Sequence, residues 1–565
     1  MRARLTVALV IVTMLTVTPM LAPAQQDATV WVASPWQRVL QDTPPGEQTE
    51  VNLRAAANEY EPFRLIVHAG DRSLRDVRVV TSSLNGPGGA ISAFNLALYR
   101  AHYLRIDTPS HRMDSPAGMY PDALIPFNDP RTGEELEGAT YDAAPFDVDA
   151  GLNQEVWCDL YVPPGTRAGR YTGTITIAAG SMELAQVPVQ LRVWDFELPA
   201  EIAMRSNFGS LGSRVADVLE MDTSSEEFAE IEDAYIDTLL NHRAVPSSLG
   251  DIWPDWNEED GIIEDGEAER LRMLVEEKHV NALRIPFRYR DEPEKAKAYL
   301  AATADWLRDL GYLDLAYIYM KDEPNDAEEY ETVRQQGALI EEADPEIARM
   351  CTEQTVSSKP EWGDLYGAVD IWCPLWGLWD EPTANERLKL GERLWSYTAL
   401  CQGPEATPWW QIDSDPLSYR APFWTSWTYD ITGFLYWSSV YWGAYDGMEG
   451  IWNAPHFREK FWGEGMLLYP GQPAGIDGPV GSIRLKLIRE AMEDYEYMVL
   501  ASQGEGDGLD IEMGYQTMVV VPRHDPEERV DRIVSDVASS FQDWSHAERD
   551  YARARERLAE MIVGQ

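Results

Sequence analysis

LAYIYMKDEP, Leu315 to Pro324, is the stretch on which the fold turns. A short apolar run from Leu315 to Met320 breaks off at Lys321, and two carboxylates, Asp322 and Glu323, follow immediately. A run of that length bounded by polar residues reads as a strand. Seven further segments of the same kind lie around it: Met204-Phe208, Arg243-Ser247 and Ala282-Phe287 before it, then Ala348-Thr352, Val369-Pro374, Arg393-Thr398 and Gly433-Val440. Between the early ones lie amphipathic helices. In one, Thr223 and Glu226 are spaced as a capping box, and Phe228, Ile231, Tyr235 and Leu239 share a face. Strands alternating with helices imply a parallel sheet, and eight such repeats in roughly 250 residues predict a (β/α)8 TIM barrel over residues 199–480. The later spacings are short, so some crossover helices there must be reduced to loops. An open doubly wound sheet is the structural alternative.

Upstream, from Ala28 to Phe196, strand follows strand. Val187, Val189, Leu191 and Val193 alternate with polar or ring residues, as do Tyr171, Ile175 and Ile177 with threonines, after the turn Pro163-Pro164-Gly165-Thr166. This predicts an all-β sandwich over residues 25–198, closed by Leu198-Pro199. Before it, Arg2 and Arg4 precede an apolar run from Leu5 to Leu15, then Pro19 and Ala22-Pro23-Ala24. That pattern predicts a cleaved signal peptide over residues 1–24 and a secreted or periplasmic mature protein. Past Val480, Ile483, Leu487, Ile488 and Met492 fall at helical spacing, and Pro526 to Ile562 reads as helix again. A C-terminal helical region over residues 481–565, packed outside the barrel, is expected. The chain is therefore multidomain.

Of 565 residues, 44% are hydrophobic, which is ample for large cores; 95 acidic against 47 basic residues give a formal charge of −48. Such a surface repels nucleic acid and anionic lipid. No later segment has 18 uninterrupted apolar residues, so no stable membrane insertion is expected. Four cysteines, Cys158, Cys351, Cys373 and Cys401, show neither a disulfide framework nor zinc spacing, although export would permit one bridge.

Barrel chemistry sits where strands end in loops at the C-terminal face. Asp322 and Glu323 are so placed, and paired carboxylates are what glycoside hydrolysis needs: an acid for the leaving oxygen and a carboxylate for the developing cation. The competing reading is ordinary helix-start chemistry, and Asp291-Glu292-Pro293 is a decoy of the same composition. Position separates the two, since Asp291 lies several residues past Ile285. Thirteen of the 21 tryptophans fall between Trp362 and Trp462. Aromatic faces stack on sugar rings, so Trp372, Trp376, Trp379, Tyr397, Trp409, Trp410, Trp437 and Trp442 are candidate platforms, with core packing as the alternative for each. Arg205, Arg243, Arg284 and Arg288 are candidates for a substrate carboxylate or for holding the acidic pair. The eight histidines show no metal spacing, and neither a phosphate loop nor a nucleophile elbow is present, so no cofactor or metal is expected.

Several segments together resemble glycoside hydrolase family 123 and its secreted relatives: NEYEPFRLIV (Asn58 to Val67), YVPPGTRAGRYTGTITI (Tyr161 to Ile177), YIYMKDEP (Tyr317 to Pro324), GFLYWSSVYW (Gly433 to Trp442), and LLYPG with GPVGSIRLKLIREAMEDYEYM between Leu467 and Met498. The resemblance implies a sandwich followed by a catalytic barrel, and hydrolysis of terminal β-linked N-acetylgalactosamine by a retaining, substrate-assisted route. It further implies that Asp322 orients the 2-acetamido group and that Glu323 is general acid, then base. Tyr397 and Trp437, from their strand-end positions, are candidates for closing around that group. Asp-Glu-Pro also resembles the Asn-Glu-Pro of retaining glycosidases whose nucleophile ends strand seven, but RLWSYTAL at that position contains no Glu. A two-carboxylate mechanism would have to recruit Glu353 or Asp370. A non-catalytic glycan-binding protein is the alternative from another class.

Overall fold

The computed structural model describes residues 27–564, apart from 135, 137, 404–406, 444, 505–508, 515–516 and 523–524. The expected leader over residues 1–24 lies outside the described residues. Two β-sheets form the N-terminal part. One runs Thr29–Ala33, Glu59–His68, Asn153–Val162, Leu96–Ile106, Gly118–Pro126, antiparallel throughout. The other runs Val51–Ala57, Met182–Glu197, Gly169–Ala179, Leu74–Thr81, Phe146–Val148, its first pair parallel and the rest antiparallel. Alternation sets the buried faces. Val187, Val189, Leu191 and Val193 share a core with Tyr171, Ile175 and Ile177 of the adjacent strand and with Phe63, Leu65, Val156 and Leu160 of the first sheet.

Seven parallel strands follow: β1 (Arg205–Asn207), β2 (Leu283–Arg284), β3 (Ala316–Asp322), β4 (Ala348–Thr352), β5 (Ile371–Trp372), β6 (Arg393–Thr398) and β7 (Ile431–Tyr436). They form one curled sheet in the order β1-β7-β6-β5-β4-β3-β2. The sheet corrects the expectation of eight strands and a closed barrel, because its ladder is open between β1 and β2. The missing segment, Arg243-Ser247, runs beside β1, where Phe208 N–H donates to Val245 O (2.9 Å) and Ser247 N–H to Gly209 O (2.9 Å). It forms no ladder because Arg243 has a left-handed φ of 59° and Pro246 has no N–H to donate. At the same gap the Asn281 side chain donates to the carbonyls of Ile202 (2.7 Å) and Met204 (3.2 Å).

The helix Glu226–Leu240 buries Phe228, Ile231, Tyr235 and Leu239, the face read from the sequence. Its cap is Ser225, which accepts Phe228 N–H at 3.1 Å, rather than Thr223. The helix Ile483–Ser502 packs outside the curled sheet, on its helices. It is buried on every side from Ile483 to Met498, because the N-terminal sheets cover its other faces. Arg484 pairs with Asp122 (2.8 Å), and Lys486 and Arg489 pair with Asp159 (2.7 and 2.6 Å); both aspartates lie on N-terminal strands. Asp494 pairs with Arg420 at 2.6 Å. Buried charges survive there because each has an opposite partner. Pro526 to Ile562 is two helices, Pro526–Ser535 and Glu548–Val563, separated by the hairpin Ala538–Ser540/Asp543–Trp544. All four cysteines are free thiols, three of them buried. Among the described residues no helix is long and apolar enough to cross a membrane, and no acidic, His and Cys side chains group as a metal site.

Candidate active site

The carboxylate pair owes its aim to a bulge. Tyr317 and Tyr319 of β3 face the sheet's inner cluster with Met350, Ile371, Cys373, Trp395 and Tyr397, while Ile318 and Met320 pack toward the helices. Strict alternation would turn Lys321 inward and Asp322 outward. Instead the register with β4 slips at Met320: Tyr319 pairs with Met350, then Lys321 with Cys351 and Asp322 with Thr352. The extra residue sends Lys321 outward to Glu329 of the next helix (2.7 Å) and brings Asp322 to the inner side. There Asp322 Oδ1 accepts the hydroxyls of Tyr319 (2.5 Å) and Thr352 (3.0 Å). Among the described residues Oδ2 has no hydrogen-bond partner, and the residue is solvent-exposed.

Glu323 leaves the strand with a left-handed φ of 42°, which costs a non-glycine residue on the order of 1 kcal/mol. Its N–H is fixed by Thr352 Oγ1 (2.9 Å), and its Oε1 accepts the hydroxyl of Tyr397. Thr352 therefore ties both members of the pair to the end of β4. Burial, then the charges of Glu323 and Asp322 respectively, push the Tyr397 and Tyr319 hydroxyls far above their ordinary range, so both act as donors. The pair is not helix-start chemistry: the following helix, Ala327–Ala343, is capped by Asp326. Asp291-Glu292-Pro293 does open a helix, Pro293–Leu310, with proline in its first turn.

Trp437, just past β7, is partly exposed and packs on Tyr441 with ring centroids 4.7 Å apart. Its indole N–H donates to Glu464 Oε1 at 2.7 Å, and Gly465, at φ 69°, lets the ring lie where a Cβ would come within 2.3 Å. Glu464 is fully buried, which raises its carboxyl to about 7 against hydrogen bonds from Trp437 and Gln411. Arg284 lies over the Tyr319 ring at 4.9 Å, on the same side as the pair.

The other expected site residues lie elsewhere. Trp376, Trp410 and Trp442 are fully buried, with indole N–H groups donating to Ser396 Oγ, Ser418 O and Leu468 O respectively. They are core, as are Trp372, Trp395 and Trp409. Arg205 sits at the N-terminal end of β1, donating to Asp314 O at 2.8 Å, on the far side of the sheet from Asp322. Arg243 pairs with Glu493 and Glu496 at the domain joint, and Arg288 donates to Pro254 O. Asp370, also at the N-terminal end of its strand, is held bidentately by Arg349 (2.6 and 2.7 Å), which removes it as a nucleophile. Glu353 follows the inward-facing Thr352 and turns outward, accepting the Tyr330 hydroxyl at 2.9 Å. Burial, aided by Glu323, raises it to about 7 despite that bond.

Sequence reasoning missed Tyr319, Thr352 and Glu464. The first two carried a signal, as polar groups at the ends of two apolar strands; Glu464 lies in a loop between glycines and carried none.

The model for the glycoside hydrolase 123 catalytic domain matches residues 266–501, and that for the glycoside hydrolase 123 N-terminal domain matches residues 36–179. Together they cover more than half of the chain. A search of curated proteins finds no significant match. Among solved structures, a family 123 glycoside hydrolase from Clostridium perfringens, described in terms of glycolipid glycan hydrolysis, is similar with a TM-score of 0.66 at 13% identity. The match covers 95% of this chain and 97% of that one, and it shows a common fold. A family 39 glycoside hydrolase from Bacteroides cellulosilyticus matches with a TM-score of only 0.32 at 9% identity, over 83% and 86% of the two chains. On the two family matches, with a carboxylate pair at the strand ends, the chain belongs to glycoside hydrolase family 123 and acts on carbohydrate.

Proposed function

We propose that this hydrolase removes terminal β-linked N-acetylhexosamine, GalNAc-like, by a retaining substrate-assisted route, and that it does so outside the cytoplasm after loss of residues 1–24. The observation that supports the reading is that each carboxylate of the adjacent pair is held through one oxygen, Asp322 Oδ1 by Tyr319 and Thr352 and Glu323 Oε1 by Tyr397. Asp322 has one oxygen saturated by Tyr319 and Thr352, which leaves Oδ2 to accept the acetamido N–H and align its carbonyl oxygen with the anomeric carbon. Glu323, steadied through Oε1 by Tyr397, has Oε2 to protonate the leaving oxygen and later to take a proton from water. The acetamido oxygen attacks, the glycosidic bond breaks, and water opens the resulting oxazolinium with net retention. A two-carboxylate mechanism is disfavoured by the ion pair on Asp370 and the outward turn of Glu353. The fold shared with the glycolipid-glycan hydrolase of C. perfringens is compatible with a glycoconjugate substrate.

The test is release of 4-nitrophenol from α- and β-glycosides, including GalNAc and GlcNAc, by the wild type, Asp322→Asn and Glu323→Gln. Turnover restricted to β-linked 2-acetamido sugars and lost in both variants is expected. Turnover of sugars without that group refutes the mechanism, and silence across the panel with glycan binding intact favours a binding protein.

A further inference from the structure

The opening in the sheet between β1 and β2 is lined as a site. At the C-terminal ends of the strands lies a cavity of ≈ 330 Å³ whose polar lining comes from Ser210, Ser247, Ser248, Arg284, Arg290 and Tyr319, and which contains no acidic residue. Tyr319 is the residue whose hydroxyl bonds Asp322, so the cavity adjoins the carboxylate pair. Among the described residues, neither arginine has a carboxylate at salt-bridge distance: Arg284 lies over the Tyr319 ring, and Arg290 lies over Phe287 (4.7 Å) and donates to its carbonyl. Burial, then the Arg284 guanidinium beside it, holds Arg290 below its ordinary value. The two guanidiniums are neighbours at the mouth of the cleft, in a chain with 95 acidic residues against 47 basic ones. Like charges held side by side repel, and an anion offering several acceptor oxygens relieves that cost. The serines add hydroxyl donors; Ser248 Oγ already accepts Leu211 N–H (2.8 Å), which leaves its own proton free to donate outward.

We infer that this cavity is a subsite for an oxyanionic substituent, a sulfate ester or a carboxylate, on the sugar that enters the cleft. The inference deepens the reading of the site as a glycosidase cleft and rests on it for the identity of the sugar.

Calorimetric titration of the intact protein with N-acetylgalactosamine, its 4-sulfate, its 6-sulfate and N-acetylgalactosaminuronic acid tests it at low ionic strength. At least one anionic sugar should bind about ten-fold more tightly than the neutral one, and Arg284→Gln and Arg290→Gln should each remove most of that advantage. Arg290 is exposed, so its replacement leaves folding intact and keeps the test open if Arg284→Gln misfolds. The sulfate and uronate arms tell the two sources apart. Equal or weaker binding of all anionic sugars, or an advantage untouched by Arg290→Gln, overturns the inference. Turnover of neutral 4-nitrophenyl β-N-acetylgalactosaminide with no anionic preference overturns the subsite and leaves the glycosidase reading standing. An arginine-dependent anionic preference without turnover of any glycoside does the reverse.

Discussion

Replacing Glu464 by glutamine keeps the shape of a buried side chain and removes its ionisation. In the folded protein this carboxyl is raised from 4.5 to about 7 by burial, so between those values the folded state holds a proton that the unfolded chain has released. Where the folded state binds more protons, stability falls as pH rises, by about 1.4 kcal/mol per pH unit for one group. From pH 4.5 to pH 8 the loss attributable to Glu464 is therefore about 3 kcal/mol, complete once pH has passed the folded value. Glutamine carries no such loss. The introduced amide still accepts Trp437 N–H through its oxygen, and its NH2 can face Gln411 Oε1, which is buried without a partner among the described residues, if the Gln411 amide turns over. Urea unfolding followed by tryptophan fluorescence from pH 4.5 to 8 reads the difference between variant and wild type. Glu353 and Glu493, also raised to about 7, are common to both proteins and cancel. The variant should gain on the wild type by about 3 kcal/mol across that range. Parallel pH dependence in the two proteins would refute the argument that Glu464 is a neutral acid at low pH.

Other perturbations act on single contacts. Tyr397→Phe deletes the hydroxyl that steadies Glu323 and should lower kcat by roughly ten- to hundred-fold with KM little changed, read on the best glycoside of the panel. Asp122→Asn leaves Arg484 buried without its counter-charge and should cost about 3–5 kcal/mol in urea unfolding, whereas Asp122→Leu with Arg484→Met should recover most of it. Gly433→Ala places a Cβ within 2.2 Å of the Trp395 ring and should destabilise by about 1–3 kcal/mol, seen as a lowered Tm.

The division into an all-β part and a parallel-sheet part, and the place of the carboxylate pair at the end of a strand, are legible in the sequence because both follow from local rules. Period-two alternation fixed which side of Met182–Glu197 is buried, and apolar runs separated by helical spacings marked seven of the seven parallel strands. The eighth expected strand failed for reasons partly visible in the sequence, since Pro246 was there to be read, but the left-handed turn at Arg243 was not. Composition also flagged a tryptophan-rich region correctly while leaving open what the rings do; most are spent on packing, and burial is a property of the whole fold. Helical spacing found Ile483–Ser502 yet suggested only one apolar face, because the charges on its other faces are matched by aspartates and arginines hundreds of residues away. The same holds at the site. Nothing local in YIYMKDEP says that the strand slips by one residue at Met320, but that slip, set by pairing with β4, decides that Asp322 rather than Lys321 faces inward. Thr352, Tyr397 and Glu464 join the site across chain separations of 29 residues for Thr352–Glu323, 74 for Tyr397–Glu323 and 27 for Trp437–Glu464. Local sequence pattern encodes which residues are buried and where strands end; contacts across such distances exist only once the chain has closed on itself.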